Sequence, residues 1–240
     1  MLRPATHRLL RASLGLLVGL AVVTTAMPLG APARASPFEA TVLDFEQAEL
    51  EKLPAGFRAA TTVGSAELVP KEATWQVVAE EKAPSGKRIV RLLKSENRDE
   101  LFNLLLREAP APADLALSVR LRADGGEEDR GGGLIWRAVD EQNYYVARWN
   151  PLEKNLRLYR VVAGVRVLLQ SVPIEAEAAA WHRLDVVMRG RVVTVSFDGA
   201  KVFSCADTTF AAAGKVGLWT RSNARSSFDD LAVAEAPATK

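Results

Sequence analysis

The sequence predicts an all-β protein built as a two-sheet, antiparallel, jelly-roll-like β-sandwich. Three observations predict this fold: short segments in which apolar residues alternate, turn signals between these segments, and almost no helical periodicity. About fourteen such segments follow one another between Thr41 and Val233. Because each short strand buries only one face, this many antiparallel strands are expected to pack as two sheets around a shared core.

The clearest alternation lies in residues 131–170, which predict an antiparallel meander. Two alternating segments, 134–139 and 144–149, come first, and Asn150-Pro151 ends the second because proline cannot donate a ladder hydrogen bond. Strands over 156–162 and 165–170 follow, and Ala163-Gly164 between them fits a two-residue hairpin turn.

The rest of the chain continues the same pattern on both sides of the meander. Strands are predicted over 41–46, 57–62, 75–78, 88–93, 101–107 and 115–122, and then over 181–188, 192–197, 201–204, 216–220 and 228–233. Residues 101–106 could form a helix on propensity alone, but their short length and flanking strands favour a strand. The domain is expected to span 36–234, followed by a disordered tail over 235–240.

Particular residues of the meander and of the closing strands give the chain a family likeness. They are Gly133, Arg137, Asp140, Asn143, Tyr144, Tyr145, Arg148, Leu158 and Gly164, and later Trp181, Gly190, Phe197-Asp198-Gly199, Gly214, Gly217-Leu218-Trp219 and Phe228-Asp229-Asp230. In these residues the chain resembles the concanavalin A-like lectin/glucanase superfamily, and especially its laminin-G-like and 3-keto-disaccharide-hydrolase-like domains. The likeness covers about 115–234 well and the amino-terminal third weakly. It implies a concanavalin A-like sandwich far more firmly than any one activity.

Residues 1–35 have the pattern of a secretory signal peptide. Arg3, Arg8 and Arg11 precede an apolar run from Leu14 to about Thr25, and Ala33-Arg34-Ala35 offers a cleavage site before Ser36. The run is shorter than the roughly 20 residues that span a bilayer, although an uncleaved anchor remains the alternative. We therefore expect an exported protein, periplasmic or secreted, with no transmembrane segment after processing.

Removal of this segment changes the charge of the protein. Residues 1–35 hold four arginines and no acid, so residues 36–240 carry 27 basic and 29 acidic side chains, a net charge of −2. No basic stripe typical of nucleic-acid binding is present in the sequence of this part, so no nucleic-acid partner is expected. The single cysteine, Cys205, excludes an intrachain disulfide and is interpreted as a small buried residue, with a reactive thiol as the alternative.

Catalytic motifs are weak. His182 is the only histidine after residue 35, and its place in an alternating strand favours packing over general-base catalysis. Glycosidases commonly need two carboxyl groups flanking the scissile bond, and the E-x-D-x-E strand of the related glucanases is absent. The acidic run Glu127-Glu128-Asp129 is interpreted as a solvated loop. Catalytic residues therefore stay unassigned.

A ligand-binding patch is predicted from strand parity. The core-facing set is Leu134, Trp136, Ala138, Tyr145, Ala147, Trp149, Leu156, Leu158, Leu184, Val186 and Met188; the opposite set is Arg137, Tyr144, Arg148, Arg157, Tyr159, Arg183 and Asp185. We expect Arg137, Tyr144, Arg148, Arg157 and Tyr159 in a solvent-open patch, with Asp140 and Asn143 in the loop at its edge. Arginines and tyrosines suit sugars, because the C–H faces of a sugar stack on aromatic rings and its hydroxyls accept hydrogen bonds from the planar guanidinium. The alternative is ordinary polar sheet surface.

A structural calcium ion is also predicted. Asp44 and Glu46 lie on the first strand, and Asp229 and Asp230 on the last, two strands that often pair in such sandwiches. Carboxylates that meet there would repel one another unless a hard cation took their oxygens. The alternative is a surface cluster divided between the two sheet faces, because adjacent residues of a strand point oppositely.

Together these features predict an exported module that binds carbohydrate or another extracytoplasmic polymer. Two alternatives remain open on the sequence: a sugar hydrolase or lyase of the 3-keto-disaccharide type, and an adhesion or scaffold domain without a small ligand. Two convergent carboxylates in a deep groove would favour the enzyme, and an aromatic and arginine-rich groove without them would favour the binding module.

Overall fold

The computed structural model describes residues 39–65 and 67–238 of the protein. The predicted signal peptide lies outside this range, as do the last two residues of the predicted tail. The described residues form fifteen strands: β1 Thr41–Leu43, β2 Phe57–Val63, β3 Ala73–Ala79, β4 Arg88–Ser95, β5 Leu101–Arg107, β6 Leu115–Gly125, β7 Gly132–Asp140, β8 Asn143–Asn150, β9 Asn155–Val162, β10 Val165–Pro173, β11 His182–Arg189, β12 Val192–Phe197, β13 Ala200–Ala206, β14 Lys215–Arg221 and β15 Arg225–Glu235. No helix in the described ranges is long and apolar enough to cross a membrane.

The strands form two antiparallel sheets, as the sequence predicts. The eight-stranded sheet has the order β13-β12-β11-β6-β15-β4-β3, and β1 pairs with β15 beside this path. The seven-stranded sheet has the order β10-β9-β8-β7-β14-β5-β2. Neighbours in space are often far apart in sequence, as with β6 and β15 or β5 and β14, which is the connectivity of a jelly-roll-like sandwich. The predicted fold class is confirmed.

The main core lies between the two sheets and contains almost all the side chains predicted to face it. Leu134, Trp136, Tyr145, Ala147, Trp149, Leu156, Leu158, Leu184, Val186 and Met188 are buried there. Alternation makes this possible because every second side chain of each strand points to the same face. Ala138 is the exception and packs on the opposite side of the seven-stranded sheet, with Tyr144 and Val146.

Strand β5 explains why alternation is absent from residues 101–106. Leu105 packs in the main core, whereas Phe102, Leu104 and Leu106 pack on the other face of the same sheet. A strand buried on both faces reads as a continuous apolar run, which periodicity alone cannot distinguish from a helix. The prediction of a strand at this position is confirmed.

Two hairpin turns predicted from the sequence have the expected backbone. Ala163 and Gly164 have φ angles of 48° and 81°, and Asp198 and Gly199 have φ angles of 49° and 80°. Two successive residues with positive φ form the tight turn that matches the twist of paired strands. The first of these turns fixes the register of β9 with β10 and so decides which side chains of β10 join Tyr159.

Candidate functional site

The seven-stranded sheet curls around its own outer face. Its first and last strands meet at one corner, where Gly164 of the β9–β10 turn lies so close to β2 that a Cβ atom there would come within 2.2 Å of the Val63 carbonyl oxygen. From the same end of β2, the Thr62 hydroxyl donates to the Glu141 carbonyl at 2.5 Å. We call the face inside this curl, which carries Phe102, Tyr144, Tyr159 and Trp219, the enclosed face.

The enclosed face is filled by a second hydrophobic core. Tyr144 and Trp219 are fully buried, and Tyr159 is only 6% exposed. Gly133 and Gly217 contribute to this arrangement, since a Cβ atom at either position would lie within 2.4 Å of a carbonyl oxygen of the adjacent strand. The prediction of a solvent-open patch on this face is therefore wrong. Its parity assignment for Tyr144, Arg148 and Tyr159 holds, but the curl of the sheet covers them.

Arg137 differs from the prediction in a second way, because it points toward the main core instead of the enclosed face. Its φ of 47° lies within a β-bulge that shifts the register between Trp136 and Asp140. Relative to β14, one extra residue lies between Ile135 and Ala138 and reverses the alternation beyond Trp136. The Arg137 guanidinium donates to the Ala113 carbonyl at 2.8 Å and to the Phe210 carbonyl at 2.7 Å, and it is 2% exposed. Arg137 thus braces two loops at the end of the sandwich.

Arg148 lies on the enclosed face and is buried there with an incomplete set of partners. Its Nη2 donates to Glu153 at 2.9 Å, whereas Nε and Nη1 have no hydrogen-bond partner among the described residues. Burial works against its charge, but nearby Asp129, Tyr159 and Glu153 outweigh this effect and raise the pKa of Arg148. A buried donor without a partner carries a substantial free-energy cost. These two nitrogens form a polar end of an otherwise apolar face.

Arg166 was not predicted from the sequence, yet its side chain reaches over the enclosed face from β10 to Phe102 of β5. Its guanidinium lies 4.7 Å from the ring centre of Phe102 and 4.9 Å from that of Tyr159. Its Nε and Nη2 donate to the two carboxylate oxygens of Glu100, at 3.1 and 3.0 Å, while its Nη1 is buried without a partner. The hairpin register could have indicated this residue, because Arg166 pairs with Val161 and so shares the face of Tyr159.

An open cavity of about 350 Å³ lies against Arg166. Tyr159, Val165 and Leu168 form its apolar wall, and Arg166 and Glu100 form its polar wall. Val165 and Leu168 are 55% and 51% exposed, unusually open for aliphatic side chains on a strand. This cavity is therefore accessible, in contrast to the rest of the enclosed face.

The charged groups around the cavity form an ion-pair network. Glu100 also accepts a hydrogen bond from Arg221 at 2.9 Å, and Arg221 contacts the buried Asp129 at 3.3 Å. Burial lowers the pKa of Arg166, and Arg221 and Arg148 lower it further by repulsion, whereas Glu100 opposes this shift. Arg166 and Arg221 therefore share one carboxylate, that of Glu100.

The remaining predicted binding residues lie near this network or brace its turns. Arg157 is half-buried and pairs with Glu153 at 2.8 Å, beside the Tyr159 hydroxyl at 3.4 Å. Asp140 accepts hydrogen bonds from the Gln142 backbone and the Asn143 amide, and Asn143 accepts one from the Ala163 backbone. Asp140 and Asn143 therefore join the β7–β8 turn to the β9–β10 turn.

The four carboxylates expected to share calcium are separately engaged. Glu46 accepts backbone hydrogen bonds from Lys87 and Arg88, and Asp44 accepts one from Glu46. Asp229 accepts the Ser85 backbone N–H at 3.1 Å, and Asp230 accepts the Ser85 hydroxyl at 2.7 Å. Within residues 39–65 and 67–238, no group of three or more acidic, histidine or cysteine residues is arranged to hold a metal ion. The structure does not gather the predicted calcium ligands.

Asp229 should instead give the protein a distinctive pH dependence. It is fully buried, and burial raises its pKa from 3.8 to about 6. The folded state thus binds this proton more tightly than the unfolded state, and the resulting stability is present below about pH 4 and is lost as the pH rises through 6. A shift of this size corresponds to at most about 3 kcal/mol.

Urea unfolding of the wild type and Asp229→Asn at pH 4.5 and 7 measures this contribution. Lowering the pH should stabilise the wild type relative to the variant by about 1–3 kcal/mol. Glu80 acts in the opposite direction, because its hydrogen bond with Arg122 lowers its pKa to about 2. Most of the stability that Glu80 contributes is lost below pH 4.5. Because both proteins contain Glu80, its effect is the same in each and does not alter the comparison. Equal changes in both proteins would show that Asp229 is not perturbed.

His182 and the acidic loop have structural roles. His182 is 8% exposed, packs against Trp149 and Phe197, and hydrogen bonds to Asp198 at 2.7 Å, which confirms its interpretation as a packing residue. Asp129, interpreted from the sequence as solvated, is buried and accepts the Asn150 amide at 2.9 Å. The loop around it is therefore anchored and not freely solvated.

Comparison with known proteins identifies the fold. No family model matches the chain, and no curated protein matches its sequence significantly. Among solved structures, the cellulose induced protein Cip1 superposes with a TM-score of 0.60 at 11% identity, covering 85% of this chain and 100% of that one. The carbohydrate binding module CBM66 from Bacillus subtilis gives a TM-score of 0.58 at 16% identity, covering 75% and 96%.

A third similar structure is the beta-glucanase of Bacillus licheniformis, with a TM-score of 0.55 at 11% identity, covering 84% of this chain and 100% of that one. At such low identities these likenesses concern the fold and not the activity. The three proteins share the two-sheet antiparallel architecture described above, and the chain therefore has a concanavalin A-like sandwich fold.

Proposed function

We propose that the protein binds carbohydrate in the cavity beside Tyr159, Arg166 and Leu168. A cavity of about 350 Å³ falls within the range of small-ligand sites, which combine apolar walls with a few placed polar groups. The apolar wall offers a surface for the C–H face of a sugar ring. The polar wall offers donors from Arg166 and acceptors from Glu100.

The observation that carries this proposal is the exposed aliphatic wall of Val165 and Leu168 beside the Arg166–Glu100 ion pair in an open cavity. A sugar ring can lie against this wall while its hydroxyls donate to the exposed Glu100 carboxylate. The fold gives further support, since the similar structures include a protein named as a carbohydrate binding module. The pattern of residues 1–35 supports an extracytoplasmic site of action, with soluble sugars or a surface polymer as the ligand.

The enzyme alternative gains less support from the geometry. A glycosidase commonly needs a general acid whose pKa is raised in contact with the substrate. Glu100 is paired with Arg166 and Arg221, and the neighbouring Glu153 has a lowered pKa because Arg148, Asn155 and Arg157 outweigh its burial. Both groups are arranged as hydrogen-bond acceptors of arginines. Asp129 has a pKa raised by burial, but it does not line the cavity.

A pair of matched variants on β10 tests the site. Leu168 lines the cavity, whereas Val167 points to the opposite face, and both are partly exposed. After a glycan array has identified a ligand for the wild type, calorimetric titration should show that Leu168→Lys weakens binding by about tenfold or more. Val167→Lys should bind as the wild type does. Arg166→Lys keeps the charge but loses the planar fork, and it should also weaken binding.

Two results would contradict the proposal. If no glycan on the array binds, the scaffold alternative is favoured, because a folded protein with an open cavity then has no sugar ligand. If a glycan binds but Leu168→Lys and Val167→Lys titrate alike, the sugar site lies elsewhere on the protein. Thermal melts of each variant show whether a loss of binding comes from loss of the fold.

A further inference from the structure

The outer side of the eight-stranded sheet carries a second cluster of arginines, unrelated to the cavity above. We call it the basic face and define it by Arg91, Arg120, Arg122, Arg183 and Arg225. Strand alternation places Arg91, Arg120, Arg122 and Arg183 outside, because their neighbours Val90, Val119, Leu121 and Leu184 are buried in the main core. Arg225 lines a cavity together with Arg91 and Arg122. Four different strands contribute, β4, β6, β11 and β15, so the cluster is not visible as a basic run in the sequence.

The strand register brings like charges together on this face. Arg183 of β11 is directly opposite Arg120 of β6, and Arg122 follows two residues along the same face of β6. Like charges directly opposite each other destabilise an antiparallel pair. Asp229 of β15 is the other neighbour of Arg120, but its carboxylate is turned to Ser85. An anion placed between these strands would relieve the repulsion.

The carboxylates of the face do not balance its arginines. Arg91 and Arg122 both contact Glu80 and Asp124, and Arg183 pairs with Asp185. Neither Arg120 nor Arg225 forms an ion pair with any residue in the part of the chain that the structure describes. Three of the five arginines thus pair with three carboxylates and the other two pair with none, while residues 36–240 as a whole are slightly acidic. The excess positive charge is local to this sheet.

The basic face also has a shape that admits a ligand. A cavity of about 430 Å³ is lined by Arg91, Arg122 and Arg225 together with Glu80 and Asp124. A second cavity of about 270 Å³ continues from it and shares Arg225 and Leu93. Next to the first cavity, the ring of Trp181 lies 4.9 Å from the Arg122 guanidinium. The two cavities form an open groove with an aromatic ring beside it.

We propose that the basic face binds an acidic polysaccharide, with arginines taking the carboxylates of successive uronic acid residues. The planar guanidinium matches a carboxylate with two parallel hydrogen bonds, which favours a carboxylate over a spherical anion. Glu80 and Asp124, which lie among the arginines, provide acceptors for sugar hydroxyls. A nucleic acid fits less well, because the units of single-stranded DNA carry no free hydroxyl that could donate to these carboxylates.

Binding of polygalacturonate, compared with its neutral methyl ester and with single-stranded DNA, tests the proposal. Arg120→Gln/Arg225→Gln removes two arginines that form no ion pair, so the fold should persist. Arg191→Gln/Lys201→Gln removes the same charge from two exposed positions, one in the β11–β12 turn and one in β13. The first variant should weaken polygalacturonate binding by about tenfold and the second by less than about twofold. Binding should also fall with salt, because exposed charges are screened.

Three results would overturn the proposal. They are failure of the wild type to bind polygalacturonate, equal weakening in the two double variants, and equal binding of the methyl ester or the DNA. Leu168→Lys, the cavity variant on β10, should bind polygalacturonate normally. The test of the basic face is therefore independent of the test of the sugar cavity.

Discussion

Replacement of Tyr144 by alanine is expected to destabilise the protein by about 4 kcal/mol, in the range measured for loss of a fully buried aromatic ring. For a domain of this size, such a loss lowers the melting temperature by roughly 10 °C. Tyr144 has no exposed surface and packs within the second core of the enclosed face. The substitution would leave a cavity between strands that close on themselves and cannot easily collapse.

The hydroxyl of Tyr144 adds to this effect because it is one link in a chain of donors. Trp219 Nε1 donates to the Tyr144 hydroxyl at 3.3 Å, and the Tyr144 hydroxyl pairs with Thr62 at 2.7 Å. The Thr62 hydroxyl in turn donates to the Glu141 carbonyl, so Tyr144 is the donor toward Thr62. Burial of this group raises the pKa of Tyr144 well above its usual range. The chain joins β14, β8 and β2 across the curled sheet.

Two controls separate the ring from its hydroxyl and from the surface. Tyr144→Phe keeps the ring and should cost about 1–2 kcal/mol, the cost of a buried polar group left without its partner. Val139→Ala, at a position that is 67% exposed on the neighbouring strand, should change stability by less than about 0.5 kcal/mol. Thermal and urea unfolding measure all three. A melting temperature of Tyr144→Ala within about 2 °C of the wild type would show that the enclosed face is open to solvent.

The sequence predicts the sandwich well because the signals for it are local. Alternation, proline breaks and the Ala163-Gly164 and Asp198-Gly199 turns each depend on a few neighbouring residues. The burial of Tyr144 and Tyr159 depends on something else, the meeting of β2 with the β9–β10 turn, which are about a hundred residues apart. No pattern among neighbouring residues of the sequence indicates that two such distant segments will meet. Strand parity can therefore assign a residue to the correct face of a sheet and still fail to predict whether other strands cover that face.

Arg137 illustrates a different limit of strand parity. A β-bulge adds one residue to a strand, and every side chain beyond it changes face. The sequence LIWRAVD contains no glycine or proline, so nothing in it indicates where the bulge falls. Ala138 and Arg137 exchange their predicted sides for this reason. The predicted site thus retains Arg148, Arg157 and Tyr159 around the ion-pair network, loses Arg137 to a structural role, and gains Arg166 and Glu100.

A buried polar network at Asn103 should be as important to stability as the ring of Tyr144. The side-chain amide of Asn103 makes four hydrogen bonds, which satisfy both of its donors and both lone pairs of its oxygen. Its oxygen accepts from Ser95 at 3.1 Å and from Asn97 at 2.6 Å. Its nitrogen donates to the Thr220 hydroxyl at 2.9 Å and to the Ser222 carbonyl at 3.0 Å. The network links the end of β4 to β14 through β5.

Asn103→Leu is expected to destabilise the protein by about 3–5 kcal/mol, although leucine has the same number of side-chain heavy atoms and residues 101–106 are otherwise apolar. The cost comes from the partners, because Asn97 and Thr220 are fully buried and would keep polar groups without hydrogen bonds. Thr220→Val, which removes one hydroxyl of the same network and preserves its shape, should cost only about 1 kcal/mol. Urea unfolding of both variants measures the difference. If Asn103→Leu unfolds at the same urea concentration as the wild type, the apolar gain of leucine offsets the lost hydrogen bonds, and the network specifies the pairing of β5 without stabilising it.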